Sequence, residues 1–120
     1  MDKSKINEYI VKFSDLLNDN GIPEMEVLDN PEIGDGFKQL GFEMDCGKMF
    51  EDKYGPKAFS DSEALERVID GIEDVQLLGS AVFSKWRYYN HWAYGESIRA
   101  DDSRKWFNVI LGRIVELTRE

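Results

Sequence analysis

Apolar residues Ile6, Tyr9, Ile10, Phe13, Leu16 and Leu17 recur at three- and four-residue steps, with Lys5, Glu8, Lys12 and Asp15 between them. That spacing gathers the apolar side chains on one stripe of a helix and turns the charged ones to water. The pattern predicts a helix from about Ser4 to Asn18, capped by Asp2 or Ser4 and stopped by Asn20-Gly21 and Pro23. Between Glu24 and Gly36 the turn-forming pairs Asn30-Pro31 and Asp35-Gly36 interrupt any period, so this stretch reads as a loop with room for one short helical turn. From Phe37 to Tyr54 two periods compete. Phe37, Leu40, Gly41 and Met44 fit a helix, whereas Phe42, Met44 and Cys46 alternate as in a strand; the helix, broken near Gly47 and ended by Tyr54-Gly55-Pro56, is preferred.

Ser60-Asp61-Ser62-Glu63 has the form of a capping box, with Ser60 and Glu63 each satisfying a backbone donor, and Leu65, Val68, Ile69 and Ile72 mark the inner face that follows. A helix from about Asp74 carries Val75, Leu78, Val82, Phe83, Trp86 and Tyr89 on one side and Leu77, Ala81 and Tyr88 on another, which makes it the central and most buried element. After a turn at Tyr94-Gly95-Glu96, Asp101 or Asp102 caps a last helix with Trp106, Phe107, Ile110, Leu111, Ile114 and Leu117 inward and Arg119 at its C-terminal dipole. The expected fold is all-α: a compact single-domain bundle of about five helices over residues 1–120.

Composition agrees with one self-sufficient core, since 42% hydrophobic and 12% aromatic residues supply enough burial to offset chain entropy despite 32% charge. The first residues, Met1 to Asn7, carry charges and no continuous apolar run, and no stretch approaches a membrane span, so neither a signal peptide nor membrane insertion is expected. One cysteine, Cys46, excludes an internal disulfide and fits a cytoplasmic setting. The net charge of −9 is uneven: residues 1 to 80 hold 19 acids against 8 bases, and residues 81 to 120 hold 5 against 7. Such acidity opposes direct nucleic-acid binding, which depends on lysine and arginine displacing counterions, and favours a basic protein surface as partner.

On the central helix Gln76, Ser80, Ser84, Arg87 and His91 fall within an arc of about 80° at about 100° per residue. This polar seam has two readings: a site in which His91, the sole imidazole, does acid-base work with Arg87, or a wet face whose small serines let a neighbour approach. The second is preferred. Arg87 and His91 invite comparison with the Arg-to-His pair of the helical HEPN ribonucleases, but they stand one residue closer than that family allows. The aromatics Trp86, Tyr88, Tyr89, Trp92 and Tyr94 could stack bases, yet their helical spacing favours core packing. No metal or cofactor is expected. One His and one Cys cannot furnish a zinc site, Asn18-Asp19-Asn20-Gly21 puts Leu16 and Val27 where a calcium loop needs carboxylates, and Gly79-Ser80 lacks the glycines of a phosphate loop or serine elbow. Cys46, beside Asp45, is read as unreactive.

The stretches Gly41-Phe-Glu-Met-Asp-Cys-Gly47 and Leu77-Leu-Gly-Ser-Ala-Val-Phe-Ser-Lys-Trp-Arg-Tyr-Tyr-Asn-His-Trp-Ala93 resemble a family of small uncharacterised proteins from bacteria and their mobile elements, over most of residues 37 to 118. More loosely, the chain resembles a domain of unknown function whose penultimate helix ends in a polar-aromatic cluster. These resemblances imply a helical domain and a phage or mobile-element setting, and they carry no catalytic residue. The expected function is a non-catalytic, acidic protein-binding protein, with Glu24, Glu26, Asp29, Glu32, Glu51 and Asp52 facing the partner. One form of it is an inhibitor that mimics nucleic acid against a host enzyme such as a CRISPR nuclease. The alternative is a small hydrolase or ribonuclease using Arg87 and His91.

Overall fold

Asp2 opens the first helix by accepting a hydrogen bond from the Lys5 amide at 3.2 Å, so that α1 runs Lys3–Asn18 with Ile6, Ile10, Phe13 and Leu17 buried. The computed structural model describes residues 2–44, 47–93 and 95–119. It is all-helical among those residues. The elements after α1 are α2 (Glu24–Leu28), α3 (Pro31–Gln39), α4 (Gly47–Tyr54), α5 (Pro56–Ser60), α6 (Ser62–Val68), a 3-10 turn (Ile69–Gly71), α7 (Val75–His91) and α8 (Asp101–Thr118).

That is more than about five helices, and the excess lies where proline and glycine had suggested loop. Pro31 occupies the first turn of α3 behind Asn30, whose side chain accepts from the Glu32 amide at 3.0 Å, so Asn30-Pro31 starts a helix instead of making a turn. Gly36 lies inside α3 where a larger residue would collide, a Cβ there falling well under 3.0 Å from the Tyr9 ring, whereas a Cβ on Gly34 would rest in ordinary contact with Trp86 at 3.5 Å. The helix expected across Phe37 to Tyr54 stops earlier than Gly47. Gly41, at φ +87°, lets the Phe42 amide reach back to the Phe37 carbonyl at 3.1 Å, a left-handed exit that frees residues 42–44 from helix.

Two caps also differ from expectation. Asp61, not Ser60, caps α6 by accepting from the Glu63 amide at 2.9 Å, while the Ser60 hydroxyl bonds the Pro56 carbonyl at 3.2 Å. Helix α8 begins behind Ala100 with no side-chain cap, and Asp102 instead accepts from the Ser62 hydroxyl at 2.6 Å, tying α8 to α6.

Helix α7 is the axis of the molecule. Its Trp86 donates to the Val27 carbonyl of α2 at 2.7 Å, and Phe83 stacks on Phe37 of α3 at 5.0 Å between centroids. Lys85 reaches the Phe59 carbonyl of α5 at 2.7 Å, and Tyr89 meets Ser103 of α8. Helices α1 and α8 run antiparallel, as Asn7 bonds Val115 and Thr118 near one end and Asn18 bonds Asn108 at the other. The buried side chains form one continuous core from Ile6 to Ile114.

Candidate functional site

Three of the five seam residues hold backbone. Gln76 donates to the Gly41 carbonyl, the Ser80 hydroxyl accepts from the Glu43 amide at 3.0 Å, and the Ser84 hydroxyl donates to the Met44 carbonyl at 2.7 Å. The non-helical segment 42–44 has no ladder of its own, and these side chains supply hydrogen bonds to the backbone from Gly41 to Met44 in its place. Phe42 fixes the segment from the apolar side: its ring lies over Gly79, where a Cβ would come well under 3.0 Å from it. The small residues Gly79, Ser80 and Ser84 thus form a berth for a neighbouring chain segment.

What remains of the seam is its C-terminal end. Arg87, half-buried, and His91, exposed, meet at 2.6 Å between Nη2 and Nε2. Guanidinium can only donate, so the Nε2 of His91 accepts, which leaves the ring proton of a neutral imidazole on Nδ1. Among the described residues no third group joins the pair, and the His91 ring approaches the Trp92 ring edge-on. Among the described residues no group of three or more His, Cys, Asp or Glu is arranged to hold a metal ion. Asp45, Cys46 and Tyr94 lie outside the described residues. No helix among the described residues is long and apolar enough to cross a membrane.

The six carboxylates expected to face a partner are divided. Glu24 is a clamp, accepting from the Ser97 hydroxyl at 2.9 Å and the Ile98 amide at 3.1 Å, so that it fastens the α7–α8 connection to α2. Asp29 accepts from Asn90 at 3.1 Å, and Asp52 stands 4.0 Å from Lys48 across one helical turn. Glu51 is half-buried on α4, whereas Glu26 and Glu32 are exposed and take part in no ion pair among the described residues. Residues 24–36 hold Glu24, Glu26, Asp29, Glu32 and Asp35 and no lysine or arginine, and Lys12 of α1 borders the groove that Glu32 lines. Helix α2 meets α7 at Trp86 and Asn90, but Lys85, on which Glu51 acts, projects about 100° or more away around the helix. The α2–α3 acids and the α4 acids therefore occupy different sides of α7.

Lys85 is the residue that pattern reading passed over. It is only 7% exposed, with its ammonium 5.0 Å from the Phe59 ring, 5.1 Å from Trp106 and 6.0 Å from Tyr88. Burial pushes its pKa down to about 8, against the opposing pull of Asp102, Glu96 and Glu51. A lysine within a helix ordinarily signals solvent, and only the aromatics at i+1, i+3 and i+4, Trp86, Tyr88 and Tyr89, hinted otherwise.

The aromatic set splits as well. Trp86 and Tyr89 are core residues, whereas Tyr88 is 42% and Trp92 79% exposed. Compared with known proteins, the chain matches no protein-family model, no curated protein and no solved structure.

Proposed function

We propose that this chain is a non-catalytic binding protein that presents carboxylates to a basic protein partner. The observation that carries the reading is the α2–α3 face, where Glu26 and Glu32 stand exposed with no ion pair among the described residues and no base in residues 24–36. Unneutralised surface charge of one sign costs stability through self-repulsion and contributes by steering an oppositely charged partner. The finer form of the reading is an inhibitor of phage or mobile-element origin that occupies the nucleic-acid site of a host enzyme. Of the six acids first considered, Glu26 and Glu32 are the ones available to carry it, with Asp29 beside them; Glu24 serves the fold.

The ribonuclease alternative draws support from one contact, the 2.6 Å approach of Arg87 to His91. Against it, the pair sits at an exposed helix end with no companion acid, base or nucleophile beside it among the described residues. Purified chain incubated with RNA separates the two: cleavage that disappears in His91→Ala would establish the enzyme, and a salt-sensitive partner lost on Glu26→Lys with Glu32→Lys would establish the binder.

A further inference from the structure

Side by side, α1 and α8 leave an open groove along their shared outer face. Its floor is closed at one end by Asn7, which donates to the Val115 carbonyl at 3.3 Å and the Thr118 hydroxyl at 3.1 Å, and at the other by Asn18 and Asn108 at 2.9 Å. One part of the groove measures about 630 Å³ and the next about 510 Å³, and Val11, Val115 and Arg119 line both, so the two are continuous. The middle is apolar, with Val11 40% exposed and Val115 half-buried. Charge also sets this face apart. In a chain of net charge −9, α1 holds three lysines against two acids, and α8 holds three bases against three acids. Glu8 and Lys12 line the groove from α1, and Glu116 and Arg119 line it from the α8 side. Glu116 pairs with Arg113 of its own helix at 3.1 Å, and among the described residues no ion pair joins the two walls.

We propose that this groove is the interface between two copies of the chain, packed as a four-helix bundle in which α1 of one protomer lies over α8 of the other. A twofold axis parallel to the helices keeps every residue at its own height. The bonds of Asn7 and Asn18 fix those heights, so that Glu8 stands within about one turn of Arg119, and Lys12 within about one turn of Glu116. Across the axis the acid and base of α1 therefore meet the base and acid beside them on α8, and symmetry makes each contact twice. Two helices about 25 Å long at a spacing of about 10 Å cover roughly 500 Å² of each protomer, or about 1,000 Å² in the pair. That area stands at the lower end for a specific interface and fits a weak, reversible dimer. Glu32 of α3 lies with Tyr9 and Leu16 on the other flank of α1, so the dimer leaves it outside. The inference goes beyond the reading of a basic partner and does not depend on it.

Sedimentation velocity of the full chain, from micromolar to near-millimolar concentration, is the test. Wild-type chain should show a reversible dimer. Glu8→Lys or Arg119→Glu alone should weaken it about tenfold or more, by setting like charges together at two symmetric junctions. Mixed, the two variants should form a heterodimer, because one junction then carries the exchanged pair and the other the native pair of Glu8 with Arg119. The mixture separates a contact between copies from one across the groove of a single chain, since neither variant can restore its own. Both positions are exposed, so circular dichroism should show the fold unchanged, and Val11→Arg, also at an exposed position, should remove the dimer independently. Wild-type chain that stays monomeric throughout would overturn the proposal, as would a variant mixture that does not associate. A dimer indifferent to all three substitutions would overturn it by placing the interface elsewhere. Monomeric chain whose Val11 and Val115 methyl signals shift on adding an amphipathic helical peptide would replace the second copy by a partner helix. None of these outcomes decides the reading of the α2–α3 face.

Discussion

Phe42 seats its ring on Gly79, in the one gap along α7 where the absence of a side chain lets a non-helical segment lie against the helix. The contact links two stretches 37 residues apart and explains why serines and a glutamine follow on the same helix: they bond the backbone on either side of that ring.

Gly79→Ala should therefore destabilise the protein by about 1–3 kcal/mol through overpacking, despite alanine's better helix propensity. In a Phe42→Ala background the sign should reverse, because the obstructing ring is gone. Chemical denaturation of the four proteins in this cycle measures the coupling. Gly112→Ala, on a helix position with open space around it, should stabilise by about 0.5–1 kcal/mol and serves as the control.

Ser84→Ala should cost about 1 kcal/mol by orphaning the Met44 carbonyl, and Ser80→Ala should speed hydrogen exchange at the Glu43 amide. His91→Ala, at the exposed end of the same seam, should change stability by less than about 0.5 kcal/mol. Equal losses at all three positions would contradict the division of the seam into berth and free end.

Trp86→Ala should cost about 3–5 kcal/mol, since Trp86 packs between Phe37 and Phe83 and donates to the Val27 carbonyl at 2.7 Å. A loss below about 1 kcal/mol, read by thermal or denaturant unfolding, would place it outside the core.

Lys85 gives a pH dependence with a definite sign. Its folded pKa of about 8 lies below its ordinary value of 10.5, so between those limits the unfolded chain binds more protons and stability rises with pH. Below about 8 the full cost of burying the ammonium is present, at most about 3 kcal/mol. Lys85→Met should flatten the stability profile between pH 8 and about 10 and leave the protein at pH 7 equally or more stable, as apolar replacement of a buried charge often does. Tyr9 and Tyr89, both raised by burial, give up their protons first in the unfolded chain, so they lower stability as pH approaches 10, and a rising slope that persists in the variant would point to other groups.

The parts of the fold legible in sequence were those dictated by local period and local chemistry. Ile6, Ile10, Phe13 and Leu17 mark α1, and Trp106, Phe107, Ile110 and Ile114 mark α8, because a stripe of apolar side chains has few other uses. The helices α2 and α3 were hidden because Gly34 and Gly36 look like turn residues, whereas the smallness of Gly36 answers Tyr9, a residue distant in sequence. The seam at Gln76, Ser80 and Ser84 was visible as a periodicity, but what it bonds, Gly41 to Met44, is a long-range pairing that no local pattern carries. Likewise Glu24 looks like any surface acid until the Ile98 amide is brought to it, and Lys85 looks solvated until Phe59 and Trp106 close over it.

The most direct measurement of the binding reading is quantitative capture from host lysate by wild-type chain, by the Glu26→Lys, Glu32→Lys double variant and by the Arg87→Ala, His91→Ala double variant, at low and high salt. The exposed, unpaired carboxylates of α2 and α3 predict one basic partner, retained by the Arg87/His91 variant, lost on charge reversal, and released as salt rises from about 0.05 to about 0.5 M, where the Debye length contracts below about 5 Å. Equal capture by all three proteins regardless of salt, or an activity on RNA that vanishes with His91, would contradict it.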